Sequence, residues 1–399
     1  MARHSLRILI CAFACLLLFQ KVHADTISNY KNQMAPGPAA DAVRAGVDAA
    51  LKGDLARAQA DFQKALQLKP DEPHVLVLLA DLSVREGRPA AAQSYLQTAV
   101  NKNPKSAVAE EAMGRYLALR KNDASAEAAL QRAIQLDPKW VDARISLGDF
   151  YLSRGKSEEA LATYREALAS DLSNPLIHYD FAKALEAKGD DRTAEAELRT
   201  SARLAPQSPL PHLALGDLLS RTGAGDAAIA EYQAAAKLDP KSGVPYVLIA
   251  QIQQKEGHSG LAEQAYRKAI LTDPNQLVAL NDLAWMDIQN PQKLDEALSF
   301  SRKTVQLAPN EGQYLDTLGW VYHARGDSQN AIATLKKGVA TEPQDPEIHY
   351  HLAVAYQDGG MLPDALAEMN KSLALKKDFP EAADARKREQ DLASRVHSQ

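Results

Sequence analysis

The sequence predicts an all-α fold, a solenoid of about ten helix-turn-helix units, and three observations predict it. Prolines recur at 70, 104, 138, 206, 240, 274, 309 and 343, in steps that are multiples of 34 except for one of 35. With each proline counted as position 32 of a 34-residue unit, positions 8 and 20 hold nothing larger than alanine in any of ten units, and position 15 is glycine in eight. A chain of 399 residues would ordinarily be divided into two or three domains, but a fixed internal period overrides that division.

From the N-terminus, residues 1–24 are expected to be a secretory signal peptide. Arg3 and Arg7 precede an apolar run from Ile8 to Phe19, and Val22-His23-Ala24 closes it. The run is shorter than the roughly 20 residues a membrane-spanning helix needs, so no transmembrane helix is expected in a mature chain starting at Asp25. A lipid-anchor site at Cys15 is disfavoured by bulky Phe13 before it and Leu16-Leu17-Leu18 after it. Both cysteines, Cys11 and Cys15, fall in the leader, which leaves the mature chain without a disulfide in an oxidising compartment. Residues 25–38, with Pro36-Gly37-Pro38, are expected to form a flexible lead-in.

Ten repeats then fill 39–379, starting at 39, 73, 107, 141, 175, 209, 243, 277, 312 and 346, with the one extra residue of repeat eight between positions 8 and 20. Position 8 reads Gly46, Ala80, Gly114, Gly148, Ala182, Gly216, Ala250, Ala284, Gly319 and Ala353, and position 20 is alanine throughout, from Ala58 to Ala365. Small residues there predict two helices crossing closely, since overpacking such a contact costs roughly 1–3 kcal/mol. Larger apolar residues flank them at helical spacing, as with Leu161, Tyr164 and Leu168. Glycine at position 15 predicts a left-handed helix end. Proline at position 32, often as Asp-Pro (Asp137-Pro138, Asp239-Pro240), stops the second helix.

On these residues the chain resembles the tetratricopeptide repeat family across 39–379. The resemblance implies a right-handed superhelix in which the first helix of each repeat lines a concave groove, chiefly through positions 2, 5, 9, 12 and 13. Pro380 to about Val396 is expected to be a capping helix within 380–399, because an open-ended stack needs its last apolar face covered.

Two parts of that groove stand out. Position 9 of repeats three to seven is a polar stripe of Arg115, Asp149, Lys183, Asp217 and Gln251, suited to an extended peptide or simply a solvated surface. In repeats eight to ten, position 9 becomes Trp285 and then Trp320, with Asn281, Asp316 and Tyr350 at position 5 and His323 at position 12. Rigid aromatics beside such polar groups suit a peptide anchor or a stacked sugar. The alternative is that both indoles pack on neighbouring helices. The carboxylate clamp known in the family pairs Lys at position 5 with Asn at position 9, and no repeat here has that pair.

Chemistry is sparse by comparison. Gly155-Lys156-Ser157 lacks the upstream glycine and strand of a phosphate loop and occupies the repeat turn. His178, His212 and His349 all stand at position 4, which predicts packing or hydrogen bonding rather than metal binding, and His349 and His351 point in different directions. There is no Gly-x-Ser-x-Gly, and carboxylates are expected on solvated helix exteriors. Neither an enzyme nor a cofactor is expected.

Loss of Arg3, Arg7 and Lys21 with the leader would leave 43 basic against 51 acidic residues, a formal charge of −8. That disfavours nucleic acid, and Arg386-Lys387-Arg388 is expected to be a solvated face. The blocks at Leu280–Trp285, Leu315–Trp320 and Ile348–Leu352 resemble the closing block of bacterial envelope tetratricopeptide proteins, including those of exopolysaccharide export. The resemblance implies a periplasmic or envelope scaffold that holds a protein or peptide, with direct polysaccharide binding through Trp285 and Trp320 as the alternative. The register makes a direct prediction. Ala160→Leu, at a helix crossing, lowers the thermal midpoint by the equivalent of about 1–3 kcal/mol, and Ala169→Leu on the same helix leaves it nearly unchanged; equal midpoints by circular dichroism would refute the register.

Overall fold

The structure, a computed structural model, describes residues 36–397; the expected leader and most of the lead-in lie outside the described residues. Among the described residues, ten helix pairs are followed by a closing helix, with no strand. They divide at Pro206 and Gln207 into two compact units, the first holding repeats one to five and the second repeats six to ten with the closing helix. The first pair begins at Pro38, one residue before the expected repeat start.

Repeat four shows how the sequence produces the pair. Its first helix, Val141–Ser153, and its second, Ser157–Ser170, pack along their length. A Cβ added at Gly148 would lie 2.5 Å from the Tyr164 ring, and the same holds for Gly46 against Phe62 and Gly216 against Tyr232. Position 8 is therefore small because the bulky residue at position 24 lies directly over it. All ten alanines at position 20 are fully buried. A third small slot, not singled out above, is position 27. Ala65, Ala99, Ala133, Ala167, Ala235 and Ala269 fill it in six repeats, and Ser201 and Ser372 fill it in two more while donating hydrogen bonds of 2.7 Å to the carbonyls of Pro175 and Pro346.

The turn between the helices closes by main-chain bonds. In repeat four the N–H of Gly155 donates to the Leu152 carbonyl (3.0 Å) and that of Lys156 to the Tyr151 carbonyl (2.9 Å), a Schellman-type ending that needs a left-handed residue. Gly155 supplies it with φ 71°, as do the other seven glycines at position 15. Lys121 fills the same slot in repeat three at φ 58°, the only described non-glycine residue with positive φ.

Repeat eight replaces this turn with a short 3₁₀ segment, Pro291–Lys293, which accommodates its extra residue. Lys293 in that segment bonds Glu263 (2.6 Å), and Arg267 grips Glu296 through two bonds of 2.7 Å. The closing helix runs Ala382–His397 and buries Ala382, Ala385 and Leu392 against the last repeat, as the expected cap requires.

A left-handed conformation costs a non-glycine residue roughly 1–2 kcal/mol. Lys121→Gly therefore raises the denaturation midpoint by the equivalent of about 1 kcal/mol, and Gly155→Ala lowers it by a similar amount. Urea titration followed by circular dichroism checks both signs.

Candidate functional site

The C-terminal unit gathers most of the predicted groove residues on three first helices, Leu277–Asp287, Gly312–Ala324 and Pro346–Asp358, each touching the next. Their position-5 side chains are not open to a groove. Asn281, Asp316 and Tyr350 are buried, because position 5 sits at the seam between neighbouring first helices. That corrects the expectation of a groove-facing position 5. Asp316 Oδ1 lies 2.7 Å from His351 Nδ1, with both side chains about 2% exposed. Tyr350 donates to Asp384 on the closing helix (2.6 Å). Asn281 Nδ2 donates to Asp282 (3.3 Å), while its buried Oδ1 has no donor among the described residues.

Positions 9 and 12 behave differently. Trp285, Trp320 and His323 are half-buried. Trp320 stacks on both His323 and His351, with ring centroids 4.3 Å away in each case, and Trp285 lies tilted against His351 at 5.7 Å. Both possibilities left open by the sequence thus apply at once: the indoles pack on neighbouring side chains and keep part of their surface accessible. Burial lowers the His323 pKa, as do nearby His351 and Arg388 against the opposing pull of Asp358, so the ring stays neutral at pH 7.

Residues missed by the sequence reading complete this face. His351 is its centre, and Asp384 and Arg388 carry positions 5 and 9 one repeat further, onto the closing helix. Arg388 bonds Asp384 (2.5 Å) and Gln357 (3.1 Å). It is therefore drawn into the structure rather than left on the solvated face expected for Arg386-Lys387-Arg388. Continuing the 34-residue count past Phe379 would have found both.

The polar stripe divides between the units. Asp217 and Gln251 lie in the C-terminal unit, where Asp217 accepts from the Tyr232 hydroxyl (2.6 Å). Arg115, Asp149 and Lys183 lie in the N-terminal unit. There Arg115 Nε faces Glu111 at 2.6 Å, and Asp149 accepts from the Tyr164 hydroxyl (2.5 Å). Glu111 and Asp180 are buried, contrary to the expectation that carboxylates stay on the exterior. Burial pushes the carboxyls of Glu111, Asp149 and Asp180 up, and at Asp180 the charge of Asp149 adds to it.

The position-4 histidines are hydrogen-bonded, as expected. The Nδ1 atoms of His178, His212 and His349 lie 2.5, 2.7 and 2.5 Å from Glu197, Glu231 and Glu368 on the second helix of the same repeat. His349 thus points into its own repeat, whereas His351 points to the preceding one. Among the described residues no group of three or more His, Cys, Asp or Glu is placed to hold a metal ion. No described helix is long and apolar enough to cross a membrane.

Models of the tetratricopeptide repeat match residues 49–116, 148–189, 179–243, 245–276 and 319–360, more than half of the chain. The chain belongs to the tetratricopeptide repeat family. Several solved repeat proteins are similar to it. Yeast Tom70 is 15% identical over 99% of this chain and 97% of its own, with a TM-score of 0.47. The C-terminal part of a repeat protein from Cytophaga hutchinsonii is 21% identical over 60% and 97%, with a TM-score of 0.46. YrrB, described as a TPR protein with an unusual peptide-binding site, is 20% identical over 47% and 96%, with a TM-score of 0.37. No curated protein sequence matches.

The buried carboxylates make stability depend on pH in a definite direction. Folded Asp180 keeps its proton to higher pH than the unfolded residue does, so its contribution falls as pH rises from near 3.8 through the raised value. Asp180→Asn removes that penalty. Its melting temperature should exceed the wild type's at pH 7 by the equivalent of about 1–3 kcal/mol, the usual size of a substitution that relieves a buried charge, and the gap should close below pH ~4. Melts at pH 3.5 and 7 that shift in parallel would contradict this.

Proposed function

We propose that this protein is a non-catalytic docking scaffold that holds a protein partner against the first helices of repeats eight to ten. Tetratricopeptide repeats are protein-interaction modules, which gives the general role; the choice of surface rests on the stack formed by Trp320 with His323 and His351. Half-buried indoles fixed by stacking present rigid apolar area without losing rotamer entropy on binding, which is how interface hot spots are built. The buried layer of Asp316, His351 and Tyr350, with Tyr350 tied to Asp384 on the closing helix, supports that surface.

Sugar stacking is the weaker reading, because two imidazoles already lie on the Trp320 ring. The leader expected at 1–24 and the resemblance of the C-terminal block support work in the periplasm or at an envelope membrane, in an export or exopolysaccharide assembly. The partner there is taken to be a protein segment with an apolar anchor.

The chain from Asp25, immobilised and exposed to envelope extract, should retain a protein that the Trp285→Ala/Trp320→Ala double variant retains at least tenfold less, a loss typical of hot-spot truncation. Circular dichroism establishes that the variant is folded. Equal retention by both proteins would remove this surface from consideration, and tryptophan quenching by soluble oligosaccharide with no captured protein would favour the glycan reading.

A further inference from the structure

The two histidines stacked on Trp320 differ in their surroundings. His351 is buried with its Nδ1 on Asp316, so it belongs to the support beneath the face. The His323 side chain is 22% exposed and stands one turn after Trp320 on the same helix. Its ring lies nearly parallel to the indole, at an interplanar angle of 20°, and its Nδ1 is 3.4 Å from Oδ2 of Asp358, whose side chain is 51% exposed. His323 thus has its ring on the indole and part of its surface in water.

The titratable and charged groups acting on this ring are Asp358 and His351, on the first helix of repeat ten, and Arg388, on the closing helix. Burial opposes the charged ring most, His351 and Arg388 add to that, and Asp358 alone favours it. A ring in this balance is neutral at pH 7 and takes up a proton in mild acid. The imidazolium then keeps its place, because the indole face attracts a cation and Asp358 lies beside it. The new charge stays on the docking face.

An apolar group packed on Trp320 and His323 takes water away from the ring, and desolvation disfavours a charged histidine. The free protein therefore holds this proton to higher pH than the complex does. By linkage, affinity is full while the free ring is neutral and declines as pH falls through its titration, by up to about tenfold per pH unit for one proton. Asp358 does not cancel the loss, since its contact with His323 is present before the partner arrives. We propose that His323 is a proton-operated gate on the Trp285/Trp320 face, which accepts an uncharged apolar anchor while the ring is neutral and rejects it once the ring is charged. The gate rests on the docking reading of that face and adds its regulation. Acidification then releases the partner with the fold intact, because the proton goes to a ring at the rim.

Two titrations of the chain from Asp25 between pH 7.5 and 5.0 test the gate, with circular dichroism establishing that every variant is folded at both ends. Tryptophan emission reads the ring alone, because an imidazolium in contact quenches an indole. The wild type should lose emission in a one-proton step below pH ~6.5. His323→Gln abolishes the step, Asp358→Asn moves it to lower pH, and His258→Gln, at an exposed histidine of the same unit, leaves it in place. Nile red, an uncharged apolar dye, reads the face. Its affinity should fall roughly threefold or more across the range in the wild type, as one-proton linkage requires, and less than twofold in His323→Gln. A step or an affinity loss that survives in His323→Gln overturns the proposal, as does dye affinity that ignores pH in the wild type. A Trp285→Ala/Trp320→Ala variant that binds the dye as well as the wild type at pH 7.5 overturns the docking reading and the gate together; binding that needs the tryptophans but not the neutral ring overturns the gate alone.

Discussion

The fold depends on how closely two helices approach at position 8. Where that position is glycine, even an alanine Cβ would collide with the side chain at position 24, as the 2.5 Å separation between a Cβ at Gly148 and the Tyr164 ring shows. Ridges of one helix can enter the grooves of the other only if that point stays thin. Everything above it follows. The left-handed turn returns the chain at the required angle, the second helix buries its alanines, and the first helices come close enough for position 5 of one repeat to meet the next. The Asp316–His351 and Tyr350–Asp384 pairs exist because the stacking distance is set one layer below them.

The slots that define a repeat were legible because they repeat: position 8, position 15 and position 20 each recur at a fixed interval, and each is a local steric demand that one residue can meet. The break in repeat eight was legible for the same reason and appears as the Pro291–Lys293 segment. Pairings between repeats were harder. His351 and Asp316 are 35 residues apart, and nothing in either helix alone marks them as partners. Position 5, expected to face the groove, is buried at the seam.

The two units solve the problem of a polar group inside a helical stack in opposite ways. In the C-terminal unit the deep carboxylate Asp316 has a donor in an imidazole, and the exposed Asp384 has donors in a phenol and a guanidinium, and the result is a firm base beneath half-exposed indoles. In the N-terminal unit the balance is left uneven, with Oε2 of the buried Glu111 short of a donor among the described residues. A satisfied network rigidifies; an unsatisfied one favours whatever brings the missing hydrogen.

The closing helix has a consequence for how such a chain can change length. Asp384 and Arg388 continue positions 5 and 9 of the repeats, and Arg388 reaches back to Gln357. The terminator is therefore half a repeat that already speaks the same positional language. Duplication of a 34-residue segment ahead of it would meet a ready-made junction, whereas loss of the helix would unseat Tyr350 and uncover the last apolar layer in a single step. Growth by whole repeats is thus tolerated at this end, and shortening from the terminus is not.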